Sequence, residues 1–195
     1  MGEGHKVEVK HEWQDGPELL TAKCDGDKAM AELAILEPLL ELPEETGTAK
    51  REDGSAAKSN RGIFFGKVFT PLYADCSPTS LLIESFITSA ENMSFTPNSC
   101  FQALYAKKGF DLLFSAYRDG DYYEHHRDVS KLTVLLWLGE KNFEGGDLYL
   151  TDFDYTVEYE PNKIFMFPSH YQHEVTKIST DHEGFVRYCA SAFIN

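Results

Sequence analysis

The chain has 195 residues, 42% of them apolar, 13% aromatic and 26% charged, with a formal net charge of −14. That length suits one domain, residues 1–195, with a full core. The negative balance disfavours a nucleic-acid partner, whose phosphates call for a basic face, and no apolar run approaches the roughly 18 residues that span a bilayer.

At the amino terminus, Met1 to Lys6 lacks the apolar stretch of a secretory signal. Lys6 stands where a myristoylation site takes Ser or Thr. Val7 to Trp13 is a short alternating run among turn formers. The spacing predicts an amphipathic helix over Asp27 to Leu40, with Asp27 as its cap, Met30, Leu33, Ala34 and Leu40 near helical spacing, and Pro38 as its end or kink. Residues 46–61 are small and polar, which describes an exposed, mobile loop. That loop is locally basic, with Lys50, Arg51, Lys58 and Arg61 against Glu52 and Asp53.

Gly62 to Thr70 reads as an apolar strand, Ser80 to Met93 as a Ser/Thr-capped helix, and Cys100 to Lys107 as a short further helix. From Phe110 onward, short apolar runs are separated by Asp, Gly, Asn and Pro turns, the pattern of a β-barrel or sandwich. Helices followed by many strands imply an α+β, mainly β fold. The cysteines Cys24, Cys76, Cys100 and Cys189 form no CxxC pair, so a zinc ribbon is excluded. Reduced, buried thiols and a cytoplasmic location are expected.

The chemistry concentrates in Tyr122 to Asp128. His126 and Asp128 are two residues apart in a strand-like run, so both point to one face. His173 sits in a second β-like run, Gln172 to Ile178. Two imidazoles and a carboxylate compose the facial set that holds Fe(II) and leaves positions open; zinc could use the same groups, although structural zinc sites more often involve Cys. His125 faces the other side of its strand, and His170 precedes the β-like run in a turn. Arg187 lies in the strand Phe185 to Ile194, where a buried guanidinium needs an anionic partner. Gly145-Gly146 reads as a structural turn or a close approach of backbone.

These residues carry a resemblance. Tyr117-Arg-Asp-Gly120, Tyr123, His126-Arg-Asp128, the strand Leu132 to Leu138, Glu144 to Leu150, Pro161 to Pro168, His173-Glu-Val175 and Arg187-Tyr-Cys-Ala190 follow one another as in the 2-oxoglutarate- and Fe(II)-dependent dioxygenases. The run Phe110 to Asn195 resembles their prolyl 4-hydroxylase-like branch. The resemblance implies a double-stranded β-helix (jelly-roll, cupin-like) over 110–195, with supporting helices, first strands and the 46–61 loop in 1–109.

It also implies Fe(II) on His126, Asp128 and His173, 2-oxoglutarate anchored by Arg187 and approached by Tyr117 and more weakly by Thr133, O2 as oxidant, and ascorbate as an accompanying reductant. Core packing is the alternative task for Tyr117. Trp137 stands where related animal enzymes show a tyrosine. The implied reaction converts 2-oxoglutarate to succinate and CO2 and hydroxylates a C–H bond, and the carboxylate of Asp128 favours hydroxylation over halogenation. A prolyl residue in a peptide or protein is the implied substrate, with the 46–61 loop as its cover. A free amino acid or other small molecule, or a catalytically silent jelly-roll binding module, are the alternatives.

Overall fold

A computed structural model describes residues 7–12, 16–41, 51 and 53–195. The amino-terminal strands are β1 (Lys10–Glu12), β2 (Leu19–Lys23) and β3 (Arg61–Phe64). Four helices follow the same part of the chain: α1 (Asp27–Leu40), α2 (Phe65–Val68), α3 (Pro71–Cys76) and α4 (Pro78–Glu91). A 3-10 segment, Cys100–Ala106, leads into β4 (Phe110–Tyr117), β5 (Tyr123–His126), β6 (Leu132–Leu138) and β7 (Leu148–Leu150). The last strands are β8 (Tyr155–Val157), β9 (Lys163–Pro168), β10 (His173–Val175) and β11 (Arg187–Ile194).

Seven strands pair in the order β1-β2-β9-β6-β11-β4-β3 and four in the order β5-β10-β7-β8. Every strand pairing is antiparallel. The mainly β fold with a jelly-roll core is therefore present.

Alternation along the strands separates two cores. Leu112, Phe114 and Ala116 of β4 and Ala190, Ala192 and Ile194 of β11 join Leu33, Leu36, Ile83 and Phe86 of α1 and α4. Tyr117, Trp137, Phe165, Phe167 and Cys189, from the other face of the large sheet, pack against Leu148, Leu150 and Val175 of the small sheet. The large sheet is thus covered on both faces, which is why all seven residues of β6 are buried and apolar or nearly so. Burying side chains of this size contributes about 1.5–3 kcal/mol each before conformational entropy is set against it. Helices on one face leave the other free to line a cavity between the sheets.

Several local expectations shift. The helix over Asp27–Leu40 forms as expected, but Asp27 is its first residue, and Asp25 Oδ1 accepts from the Asp27 amide instead. Ala34 is exposed and Leu36 takes its place in the core, while the helix continues two residues past Pro38. The strand expected over Gly62–Thr70 ends at Phe64 and turns into α2. Thr70 then caps α3, whose first residue is Pro71. All four cysteines are free thiols, but only Cys189 is buried, and Cys76 is exposed.

Trp13 and residues 46–50 and 52 lie outside the described residues. Of the rest of the basic segment, Arg61 opens β3 in the large sheet, while Arg51 and residues 57–59 are tied to the small sheet. Ala57 O accepts from Glu124 N (3.0 Å), Ser59 N donates to Tyr122 O (3.2 Å), and Arg51 pairs with Glu124. Lys58 bridges Tyr123, so residues 57–59 cover the open edge of β5. Among the described residues, no helix is long and apolar enough to cross a membrane.

Candidate metal and co-substrate site

The small sheet brings the two histidines together. His126 ends β5, His173 begins β10, and the two are register partners. Asp128 lies beyond the end of β5 rather than within a strand, with its amide donating to Ser169 O at 3.0 Å. One ligand atom from each of His126, Asp128 and His173 falls within 4.8 Å of the others.

The protons of this cluster can be assigned from its partners. Nδ1 of His126 lies 2.8 Å from Glu124 O, and Nδ1 of His173 lies 2.9 Å from Tyr171 O. A carbonyl only accepts, so both Nδ1 atoms carry hydrogen and both Nε2 lone pairs are left bare in the neutral rings. Burial, then the neighbouring His173, pushes the His126 imidazole down to about 4, so it is neutral at pH 7. The Nε2 atoms stand 3.7 and 3.6 Å from the two oxygens of Asp128, too far for good hydrogen bonds. Three electron-pair donors thus converge with no proton between them, an arrangement that a divalent cation satisfies.

The surrounding residues hold these groups in place. Tyr123 stacks on His126 with ring centroids 3.7 Å apart, and Phe167 meets His173 edge-on at 5.0 Å. Thr133 Oγ donates to Asp128 Oδ2 (2.6 Å) and contacts Ser169 Oγ (2.8 Å), which in turn bonds Ser130 Oγ. A hydroxyl has one proton, and in this geometry Thr133 commits it to Asp128. Thr133 thus supports the metal-facing carboxylate from behind.

Arg187 approaches from the large sheet, opposite Tyr117 in register. Its guanidinium is 1% exposed. Nε donates to Gly146 O at 2.7 Å, while Nη1 and Nη2 have no partner among the described residues. The rings of Tyr117, Tyr159 and Trp137 surround it with centroids at 4.5, 5.5 and 5.7 Å. Trp137 Nε1 is likewise buried and unpartnered. Burying a charge with two free ends costs several kcal/mol, and an anion with two acceptor oxygens offsets that cost.

Gly146 is required by this arrangement. Its φ is +69°, and a Cβ there would stand 2.9 Å from Arg187 Cδ and from Phe143. Sequence reasoning gave the Gly-Gly pair a structural task and missed that the Gly146 carbonyl orients the guanidinium. His125 and His170 are both exposed, away from the cluster. One cavity of about 530 Å³ is lined by His126, Asp128, His173, Arg187, Tyr117 and Thr133 together.

Comparison with known proteins agrees with this geometry. Residues 112–195 match the family model of the 2OG-Fe(II) oxygenase superfamily. This segment belongs to that superfamily. The oxygenases of this superfamily use Fe(II), 2-oxoglutarate and O2. No curated protein matches the chain.

The fold is similar to that of several solved prolyl hydroxylases. A Pseudomonas putida prolyl-4-hydroxylase superposes with a TM-score of 0.62 at 16% identity, covering 91% of each chain. A Trichoplax adhaerens prolyl hydroxylase, in complex with a hypoxia inducible factor oxygen degradation domain peptide fragment, gives 0.60 at 15% identity, covering 87% of this chain and 77% of that one. The viral collagen prolyl hydroxylase of Paramecium Bursaria Chlorella virus-1, a 2OG complex, gives 0.55 at 12% identity, covering 89% and 94%.

Proposed function

We propose that this oxygenase holds Fe(II) on His126, Asp128 and His173, anchors 2-oxoglutarate through Arg187, and hydroxylates a prolyl residue in a peptide or protein. The observation that carries the reading is the buried Arg187 guanidinium, whose two free nitrogens share a cavity with three converging metal-ligating atoms. The neighbours that bind or act on prolyl substrates support the choice of substrate class.

When bound, iron and co-substrate supply oxidative decarboxylation coupled to insertion of one oxygen atom into a C–H bond. The chain's own residues do the positioning. The Glu124 and Tyr171 carbonyls fix both imidazole tautomers. Thr133 and Ser169 orient Asp128. Arg187, turned by Gly146 O and enclosed by aromatic rings, grips the distal carboxylate in a dry setting where a charge-assisted pair is strong. Tyr117 borders the same carboxylate position, and its buried hydroxyl is held well above the usual phenol range by desolvation, so it stays a neutral donor.

Titrating 2-oxoglutarate into the anaerobic Fe(II) protein tests the cofactor assignments. A visible charge-transfer band is expected, lost in His126→Ala and needing far more co-substrate in Arg187→Ala. Succinate release and a one-oxygen mass gain on a proline-containing peptide test the substrate. Turnover of free L-proline but of no peptide would replace the peptidyl reading with a small-molecule one. Iron bound without a band would remove 2-oxoglutarate from the account.

A further inference from the structure

Four cations line the cavity, Lys58, Lys67, Arg127 and Arg187, against two carboxylates, Asp111 and Asp128. This surplus is found inside a chain whose formal charge is −14. A dianionic co-substrate and a divalent metal cancel one another, so loading the site leaves the surplus for whatever binds next. Arg127 is already tied to Asp152 at 3.0 Å and to the His170 carbonyl at 2.8 Å.

Lys58 is different. It is half-buried, no carboxylate pairs with it among the described residues, and its Nζ stands 5.3 Å from the centroid of the Tyr123 ring. Burial lowers its ammonium to about 8, which still leaves it largely protonated at neutral pH. Its backbone is held against β5 by the bonds from Ala57 and Ser59, so the charge has a defined position. Tyr123 in turn stacks on His126, and Lys58, Tyr123 and His126 line the same cavity. A cation held there, partly out of water and without a counter-ion, favours an anion arriving from outside.

We infer that Lys58 is the substrate's anion-recognition residue, and that the oxygenase takes a substrate bearing a carboxylate close to the C–H bond it oxidises, seated on Lys58 beside Tyr123. The inference deepens the hydroxylase reading above and rests on it. The carboxylate has two chemical sources: an acidic side chain flanking a prolyl residue, or the free carboxylate of an amino acid.

The test compares acetylated and amidated peptides with one proline flanked by glutamates or by glutamines, together with free L-proline. Binding is measured by calorimetry on the Mn(II)-loaded protein with saturating 2-oxoglutarate and no oxygen. The glutamate peptide is expected to bind about tenfold tighter than the glutamine peptide, a gap that shrinks with added salt. Lys58→Ala and Lys58→Gln should reduce the gap to less than about twofold, and Lys58→Arg should retain most of it. L-proline that displaces the glutamate peptide from the wild type and not from Lys58→Ala assigns the carboxylate to a small molecule.

Equal binding of the two peptides, a gap that persists in both neutral variants, or no Lys58-dependent binding of either peptide or of L-proline titrated alone would overturn the role of Lys58. Hydroxylation is read separately by mass. Glutamate-selective binding with no hydroxylated proline keeps Lys58 as the anion site and removes prolyl hydroxylation instead.

Discussion

Replacing Arg187 with Met separates a co-substrate anchor from a structural charge, because the two tasks predict opposite outcomes. The residue is 1% exposed, with only Nε paired among the described residues. Losing the bond to Gly146 O costs about 1.5–3 kcal/mol, as for hydrogen bonds to charged groups. Removing a buried charge without a counter-ion returns a similar or larger amount, since apolar replacements of buried ions are often neutral or stabilising by about 1–4 kcal/mol. Arg187→Met without co-substrate should therefore unfold within about 1 kcal/mol of the wild type, or later.

Binding changes in the other direction. Two charge-assisted bonds from Nη1 and Nη2, at about 1.5–3 kcal/mol each, set a loss of roughly 3–6 kcal/mol. At about 1.4 kcal/mol per decade, the Kd for 2-oxoglutarate rises by about two to four orders of magnitude. Thermal unfolding reads both quantities. Co-substrate at about one hundred times the wild-type Kd stabilises the wild type by about 2.7 kcal/mol. That corresponds to roughly 5–10 °C for a chain of this length, and the variant should show almost no shift. A variant that melts far below the wild type, yet keeps the full shift with 2-oxoglutarate, would refute the assignment and make Arg187 a structural residue.

The other expectations follow from the same contacts. Gly146→Ala forces a side chain into a left-handed backbone (φ +69°) and against Arg187 Cδ at 2.9 Å; it should cost about 1–2 kcal/mol of stability in a melt and weaken 2-oxoglutarate more than metal. Thr133→Val removes the donor to Asp128 and should weaken iron binding by about 10–100-fold in a chelator competition, with Thr133→Ser restoring most of it. His126→Ala should abolish stoichiometric iron binding by metal analysis, while His125→Ala, altering an exposed side chain, should leave it intact. Retention of iron by His126→Ala would move the metal elsewhere.

By itself the sequence determined the parts whose signal is local. The period of two from Phe110 onward marked the strands, because an antiparallel sheet buries alternate side chains whatever else surrounds it. Asp27–Leu40 and the Ser-capped α4 were legible from spacing and capping chemistry. His126, Asp128, His173 and Arg187 were legible as a set because their types and order suit one chemistry.

Only the tertiary structure decided what those groups touch. Asp128 lies past its strand, and it faces the histidines because the Ser169 carbonyl, from a segment distant in sequence, holds its amide and Thr133 holds one of its oxygens. The continuous apolar run of β6 could not reveal that Thr133 and Leu135 face the cavity and Leu136 the helices, since a strand covered on both faces loses its alternation. Gly62–Thr70 turned helical after Phe64 where the capping of α3 and packing on β4 outweighed β propensity. The Gly146 carbonyl on Arg187, and Lys58 in the cavity beside Tyr123, depend on non-local approach of backbone and side chain, and no spacing along the chain encodes that distance.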